Sequence, residues 1–105
     1  MRYTVILLPD SEWFSVSVPA MPGCTSRGRT REEALRNVIL AMSGWLETEG
    51  EQGRGPLMES PSVVAASVTE ALEIVEEMRA AGEVPSGAGY QLELVSVDVR
   101  GTVAA

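Results

Sequence analysis

The stretch "VPAMPGCTSRGRTREEAL", residues 18–35, contains Cys24, the one cysteine of the chain. A cysteine nucleophile needs a lowered thiol pKa and a neighbouring base. Arg27 and Arg29 are close in sequence and would favour the thiolate, but the chain has no histidine to serve as the base. We therefore expect Cys24 to pack as a small apolar residue at the start of a strand.

The lack of histidine excludes whole classes of site. A Ser-His or Cys-His hydrolase cannot be assembled from this chain alone. A zinc site would need one thiolate and several carboxylates, which structural zinc sites do not use. We predict no metal and no other cofactor, and a single cysteine forms no internal disulfide.

Carboxylates are the remaining candidates for catalysis. Asp10 and Glu12 lie in one predicted turn, where solvated side chains are typical. A metal-dependent hydrolase or nuclease would need Asp10 together with Glu93 or Asp98, since such enzymes hold their metal ions with several converging carboxylates. This enzyme is an alternative; the predicted turn favours a protein without catalytic residues.

Charge and length limit the partners and the compartment. The chain has 8 basic and 15 acidic residues, a net charge of -7, which repels nucleic acid and favours a basic partner or simple solubility. Its 105 residues suit a single domain, and no apolar run is long enough to cross a membrane. The N-terminus reads as strands rather than as a secretion signal, so we expect a cytoplasmic protein.

The N-terminal part of the chain predicts a hairpin, a third strand and a helix. Residues 3–8 and 13–18 alternate or are β-rich, while Pro9 and "DSE" separate them. The turn chemistry of "PAMPG" then leads into a short strand at about 24–27. The structural motif consists of two prolines, two glycines, the cysteine and a Thr-x-x-Glu capping box at the start of a helix at Arg31. Its residues are Pro19, Pro22, Gly23, Cys24, Gly28, Thr30 and Glu33.

Two helices and a last strand follow. An apolar stripe at helical spacing predicts the first helix: Leu35, Val38, Ile39, Met42, Trp45 and Leu46. Glycines and prolines predict a loop over 47–62, and a second capping box at Ser67 and Glu70 predicts a helix at about 68–81. The apolar phase of residues 90–99 slips after Leu94, which indicates a bulge, or a central strand buried on both faces.

The predicted order β-β-β-α-α-β gives an α+β domain, with a small, mostly antiparallel sheet and the helices on one face. A small open sheet has edges to cover, so we expect a homo-oligomer, most simply a dimer. Candidate partner or oligomer contacts are Trp13, Glu70, Glu73 and Glu77. Trp13 either faces a partner or is partly covered by a neighbouring chain or helix; the glutamates form a solvated face or a landing surface for a basic partner.

A family resemblance rests on "LLPDSEWFSVSVPAMPGCTSRGRTREEALRNVILAMSGWLE", about 40 residues in which a hairpin, Pro-x-x-Pro-Gly-Cys, a short strand ending in Gly and Thr-x-x-Glu-Ala precede a helix. This block resembles the N-terminal domain of HicB-type antitoxins. The segments "AAGEVPS" and "YQLELVSVDV" are similar to the family's later parts. The matching positions are Asp10, Trp13, Phe14, Val18, Pro19, Pro22, Gly23, Cys24, Gly28, Thr30, Glu33, Ala34 and Leu35.

The resemblance implies a partial ribonuclease H-like fold without nuclease chemistry, which binds and occludes a small basic toxin ribonuclease. Two departures stand out. A loop and second helix at about 48–81 replace one continuous helix, and the chain ends at Ala105 without the DNA-binding segment of many relatives. We therefore expect one domain over 1–105 that binds no nucleic acid directly. A stand-alone structural or regulatory homo-oligomer on the same scaffold is the alternative.

Overall fold

The computed structural model describes residues 2–10, 12–56, 59–82 and 92–99. The α+β class and the predicted order of elements are confirmed. Within the described ranges, neither helix is long and apolar enough to cross a lipid bilayer. The elements are β1 (Arg2–Asp10), β2 (Trp13–Ser17), β3 (Thr25–Gly28), α1 (Arg31–Glu51), α2 (Pro61–Ala80) and β4 (Glu93–Asp98).

The four strands form one antiparallel sheet in the order β3-β2-β1-β4. β1 is central and runs past Pro9, which stands opposite Phe14 of β2. The pairing of β1 with β4 ends at Leu7. Among the described residues, Pro9 therefore has a neighbouring strand on one side, and its missing N–H breaks no second ladder there.

The last strand differs from the prediction. β4 pairs with β1 in an unbroken register from Arg2 opposite Asp98 to Leu7 opposite Glu93, so it contains no bulge in this ladder. It is an edge strand rather than a central one, and Leu94 is 51% exposed while Val97 is buried. Leu94 interrupts the alternation of apolar and polar residues in β4. It is not buried, because it lies on the sheet face away from the main core.

The main core lies between α1 and the sheet face that carries the odd-numbered residues of β1. Alternation along the strands brings Val5, Leu7, Val16 and Val97 to this face. The predicted apolar stripe of α1 packs on them: Val38 and Met42 are fully buried, and Leu35, Ile39, Trp45 and Leu46 are partly buried against the cluster. Ala34, which was not part of the predicted stripe, is also fully buried.

Helix α1 begins at Arg31, as predicted, and ends later than predicted. The side chain of Thr30 accepts a hydrogen bond from the backbone N–H of Glu33, at 3.0 Å. This is the threonine half of the predicted capping box. The helix continues through Gly50 to Glu51, because an exposed glycine near a helix end weakens the helix without ending it.

The predicted start of α2 was wrong. The helix begins at Pro61, and the side chain of Ser60 accepts from the N–H of Val63, at 3.2 Å, so Ser67 lies inside the helix. Proline fits the first helical turn, where its missing N–H has no partner to lose. The predicted stop is close to the observed one: α2 ends at Ala80, and Gly82 has a φ of +73°.

Helix α2 lies over the other face of the sheet. The prediction that both helices lie on one face is therefore wrong. This second face, the even face, carries Ile6 and Leu8 of β1, and Ile6 is only 2% exposed. Together with Ala71, Ile74 and Met78 of α2, these residues line a cleft of about 510 Å³. Val75 is the one α2 residue that is fully buried.

Candidate functional site

The predicted structural motif forms a closed corner between β2 and β3. The N–H of Val18 donates to the carbonyl of Cys24 at 3.2 Å, and the N–H of Cys24 donates to the carbonyl of Met21 at 2.9 Å. Gly23 has a φ of +83°, a conformation that side chains disfavour. Trp45 of α1 donates its indole N–H to the carbonyl of Pro22 at 3.1 Å, which fixes the corner on the helix.

Cys24 packs in the core at this corner. It is 5% exposed, and burial raises the pKa of its thiol. A raised pKa keeps the sulfur protonated at neutral pH, and the thiolate is the nucleophilic form. The geometry therefore agrees with the packing role predicted for Cys24.

Trp13 contacts two arginines on the even face of the sheet. The guanidinium carbon of Arg27 is 4.7 Å from the centroid of the Trp13 ring, and that of Arg29 is 4.6 Å from it. The register of β2 and β3 explains the contact. Because side chains alternate along a strand, the odd-numbered residues of β2 and β3 project from the even face, which is named after the residues of β1. Trp13 is partly buried by these side chains, while Phe14 projects from the opposite face and packs against the main core.

The predicted acidic surface lies on the outer side of α2. Its glutamates fall into two groups, which line different surfaces of the helix. Glu73, Glu76 and Glu77 line a shallow surface with Leu72, which is 50% exposed. Glu76 is paired with Arg79 at 2.7 Å. We call Glu73 and Glu77, one helical turn apart and both exposed, the acidic pair of α2.

Glu70 lies on the flank of α2 that approaches the corner. It lines a cleft of about 430 Å³ together with Pro22, Gly23 and Ile74, and Ile74 is 49% exposed. Residues that were predicted separately, as a family motif and as an acidic helix, thus share one concave surface. The sequence did not predict this meeting, because it depends on which face of the sheet α2 covers.

The two β4 carboxylates of the enzyme alternative, Glu93 and Asp98, are not brought together. Glu93 and Asp98 project from opposite faces of β4, since their positions differ by an odd number. Glu93 is bound by Arg31 through two hydrogen bonds, one of them 3.1 Å between Nε and Oε1. Among the described side chains, no group of three His, Cys, Asp or Glu residues is placed to hold a metal ion. The side chain of Asp10 lies outside the described set.

The ion pair of Arg31 with Glu93 has a structural role. It joins the first turn of α1 to β4, elements 62 positions apart in sequence. The hydrogen bond from Arg31, aided by the attraction of its charge, holds the pKa of Glu93 below its usual range against a smaller opposing effect of burial. The same contact raises the pKa of Arg31.

A contact between Thr4 of β1 and Glu59, which the sequence did not predict, holds the start of α2. The backbone N–H of Thr4 donates to Oε1 of Glu59 at 2.6 Å, and the Thr4 hydroxyl donates to Oε2 at 3.1 Å. Thr4 lies in the part of β1 that β2 does not pair, so its N–H would otherwise lack a partner strand on that side. Nothing in the local sequence around Glu59 indicates this contact.

Comparison with known proteins decides the family. A family model described as the HicB-like antitoxin of bacterial toxin–antitoxin systems matches residues 3–85, which include the corner, α1 and α2. The chain belongs to the HicB-like antitoxin family. Membership implies a toxin as the partner and suggests a role without catalysis.

Solved structures agree with this assignment. The HicB-like chain is similar to the N-terminal domain of the antitoxin HicB from Burkholderia pseudomallei, with 31% identity and a TM-score of 0.51 over 94% of this chain and 100% of that domain. It is also similar to the structure of the antitoxin HicB of the same organism, with 27% identity and a TM-score of 0.51. That match covers 93% of this chain and 64% of the HicB chain.

Two relatives match 49 residues of the HicB-like chain each. The UPF0150 protein Ta0767 of Thermoplasma acidophilum is 43% identical over 49 residues, which are 46% of this chain and 71% of that protein. The UPF0150 protein ssl0259 of Synechocystis is 37% identical over 49 residues, which are 46% of this chain and 67% of that protein. Neither name states a function.

Proposed function

We propose that this protein is an antitoxin module that binds a small basic toxin ribonuclease and occludes it. The observation that carries the proposal is the family match over residues 3–85. The net charge of -7 supports a basic partner, because opposite charges speed association and orient the partners. The proposed role is binding without catalysis, in a cytoplasmic compartment and without direct contact to nucleic acid.

We assign the toxin contact to the exposed acids of α2. The acidic pair, Glu73 and Glu77, is free of arginine partners among the described residues, and Glu70 extends the negative surface toward the corner cleft. Leu72 and Ile74 are half exposed on the two sides of this surface. A mixed acidic and apolar helix face suits a basic partner, since the apolar residues supply burial and the acids supply orientation.

Co-expression with the toxin tests the proposal. The toxin would be the product of a neighbouring reading frame that encodes a small, basic, histidine-containing protein. We expect this chain to restore growth, and the double variant Glu73→Gln/Glu77→Gln to restore it less. The matched control is Glu47→Gln/Glu51→Gln, which removes an exposed acidic pair of the same spacing from α1. Absence of such a gene, together with failure to suppress any such toxin, would contradict the antitoxin role.

We also propose that the protein self-associates, either in service of the antitoxin role or as a regulatory homo-oligomer. The supporting observation is the sheet, in which β3 and β4 are edge strands within the described part of the chain. Open edges in small sheets are commonly covered by a second copy. Light scattering coupled to size exclusion tests this, and a monomeric mass at micromolar concentration would contradict it.

A further inference from the structure

The arginines over Trp13 form a basic cluster on an acidic protein. Arg27 and Arg29 both lie within 4.7 Å of the centroid of one indole ring. Both are exposed at the edge of the sheet formed by β3. Two like charges held over one ring repel each other, so this arrangement is expected to gain from a bound anion.

No carboxylate of the described residues supplies that anion. The ion pairs in the described parts of the chain involve other arginines: Arg31 with Glu93, Arg54 with Glu49, and Arg79 with Glu76. Arg27 and Arg29 touch Trp13 and have no acidic partner among these pairs. Within the described part of the chain, the cluster of Trp13, Arg27 and Arg29 therefore offers two exposed guanidinium groups to the carboxylates of a partner.

The acidic pair of α2 is the complementary surface. Glu73 and Glu77 are exposed and one turn apart on α2, so they present two carboxylates on one side of the helix. Helical periodicity places them on the side of α2 away from Ala71 and Met78, which face the sheet. The cluster lies on the even face of that sheet, so the acidic pair of one copy points away from the cluster of the same copy.

We propose that the cluster of Trp13, Arg27 and Arg29 binds the acidic pair of α2 from a second copy of this chain. Each copy offers both surfaces, so two copies related by a two-fold axis make the contact twice and the assembly closes as a dimer. This inference rests on the self-association proposed above and names its interface.

A consequence concerns the toxin. The proposed function assigns the acidic pair to the basic toxin as well, so the toxin and the second copy compete for Glu73 and Glu77. The arginine cluster has no role in binding a basic toxin. Variants of Arg27 and Arg29 therefore separate self-association from toxin binding.

Charge reversal tests the interface by light scattering and sedimentation of the full chain. We expect Arg27→Glu/Arg29→Glu and Glu73→Arg/Glu77→Arg each to raise the dimer dissociation constant about tenfold or more, since attraction becomes repulsion at both contacts. An equimolar mixture of the two variants should associate again, because each supplies the charge that the other lacks. Higher salt should weaken the wild-type dimer.

Matched controls are Arg36→Glu and Glu47→Arg/Glu51→Arg, which reverse exposed charges on α1 and should leave the dimer unchanged. Circular dichroism checks that each variant is folded. If Arg27→Glu/Arg29→Glu unfolds, the Glu73→Arg/Glu77→Arg variant still tests the interface by itself. A monomeric wild type would overturn the self-association and this interface together. A wild-type dimer that persists in both reversal variants, or variants that fail to associate when mixed, would overturn this interface alone.

Discussion

Gly28 lets β3 and α1 approach more closely than a side chain would permit. A Cβ at this position would lie 2.5 Å from the backbone nitrogen of Ala34 and 2.8 Å from the carbonyl carbon of Glu33. These atoms belong to the first turn of α1 and cannot move without shifting the helix. The glycine that ends β3 is therefore required by packing rather than by its backbone conformation.

Gly28→Ala should reduce the free energy of unfolding by about 1–3 kcal/mol, the usual cost of forcing atoms into a packed core. Urea denaturation measures the loss. The control is Gly44→Ala in the middle of α1, where an added Cβ meets nothing within 4 Å. That change should stabilise the protein by about 0.5–1 kcal/mol, because alanine favours the helix. Equal effects of the two substitutions would contradict the close approach at Gly28.

Cys24 should be unreactive in the folded protein. Its sulfur is buried, and burial raises its pKa, so few molecules carry an accessible thiolate at neutral pH. We expect an aromatic disulfide reagent to label the native protein slowly and the urea-unfolded protein rapidly. Rapid labelling of the native state would return Cys24 to the candidates for chemistry.

Between elements, the pair of Arg31 and Glu93 links stability to pH. The pKa of Glu93 is lowered in the folded state, so the pair contributes its full stability above the usual pKa range of a glutamate. That contribution is lost as the pH falls through the lowered pKa. The difference in Tm between wild type and Glu93→Gln should therefore be largest near neutral pH and shrink in acid. The control is Glu47→Gln, and a difference that is constant with pH would contradict the assignment.

The bond between Thr4 and Glu59 should restrain the start of α2. Glu59→Ala leaves the Thr4 N–H without its acceptor, so hydrogen exchange at that amide and in the first turn of α2 should become about tenfold faster. Mass spectrometry or NMR resolves these amides. Glu51→Ala, an exposed change at the end of α1, should leave them unchanged. Unaltered exchange after Glu59→Ala would show that other contacts hold the helix.

The elements differ in how far the sequence determined them. Helix α1 was predicted at its start and along its buried stripe because a threonine cap and a 3.6-residue period are local signals. The start of α2 was missed because Pro61 was counted among the residues that break a helix, although proline suits a first turn. The edge position of β4 was missed because strand order depends on long-range pairing, which apolar phase does not encode.

For the whole molecule, the net charge of -7 should control the rate of binding to a basic toxin, if the proposed function holds. The association rate should fall about tenfold between low and physiological ionic strength, as the Debye length shrinks from about 30 Å to about 8 Å. Stopped-flow fluorescence measures this rate. The salt dependence should be weaker for Glu73→Gln/Glu77→Gln than for Glu47→Gln/Glu51→Gln. A rate independent of salt would contradict electrostatic steering.

The amino-acid sequence alone determined the class of fold, the order of its elements, the start and buried stripe of the first helix, and the family. These features rest on signals that neighbouring residues carry: alternation, helical period, turn residues and a motif with fixed spacing. The tertiary structure decided that α2 covers the even face, that Glu70 meets the corner, and that Arg27 and Arg29 lie over Trp13. Each of these contacts joins residues whose distance depends on strand register or on helix placement, and neither is written in local sequence.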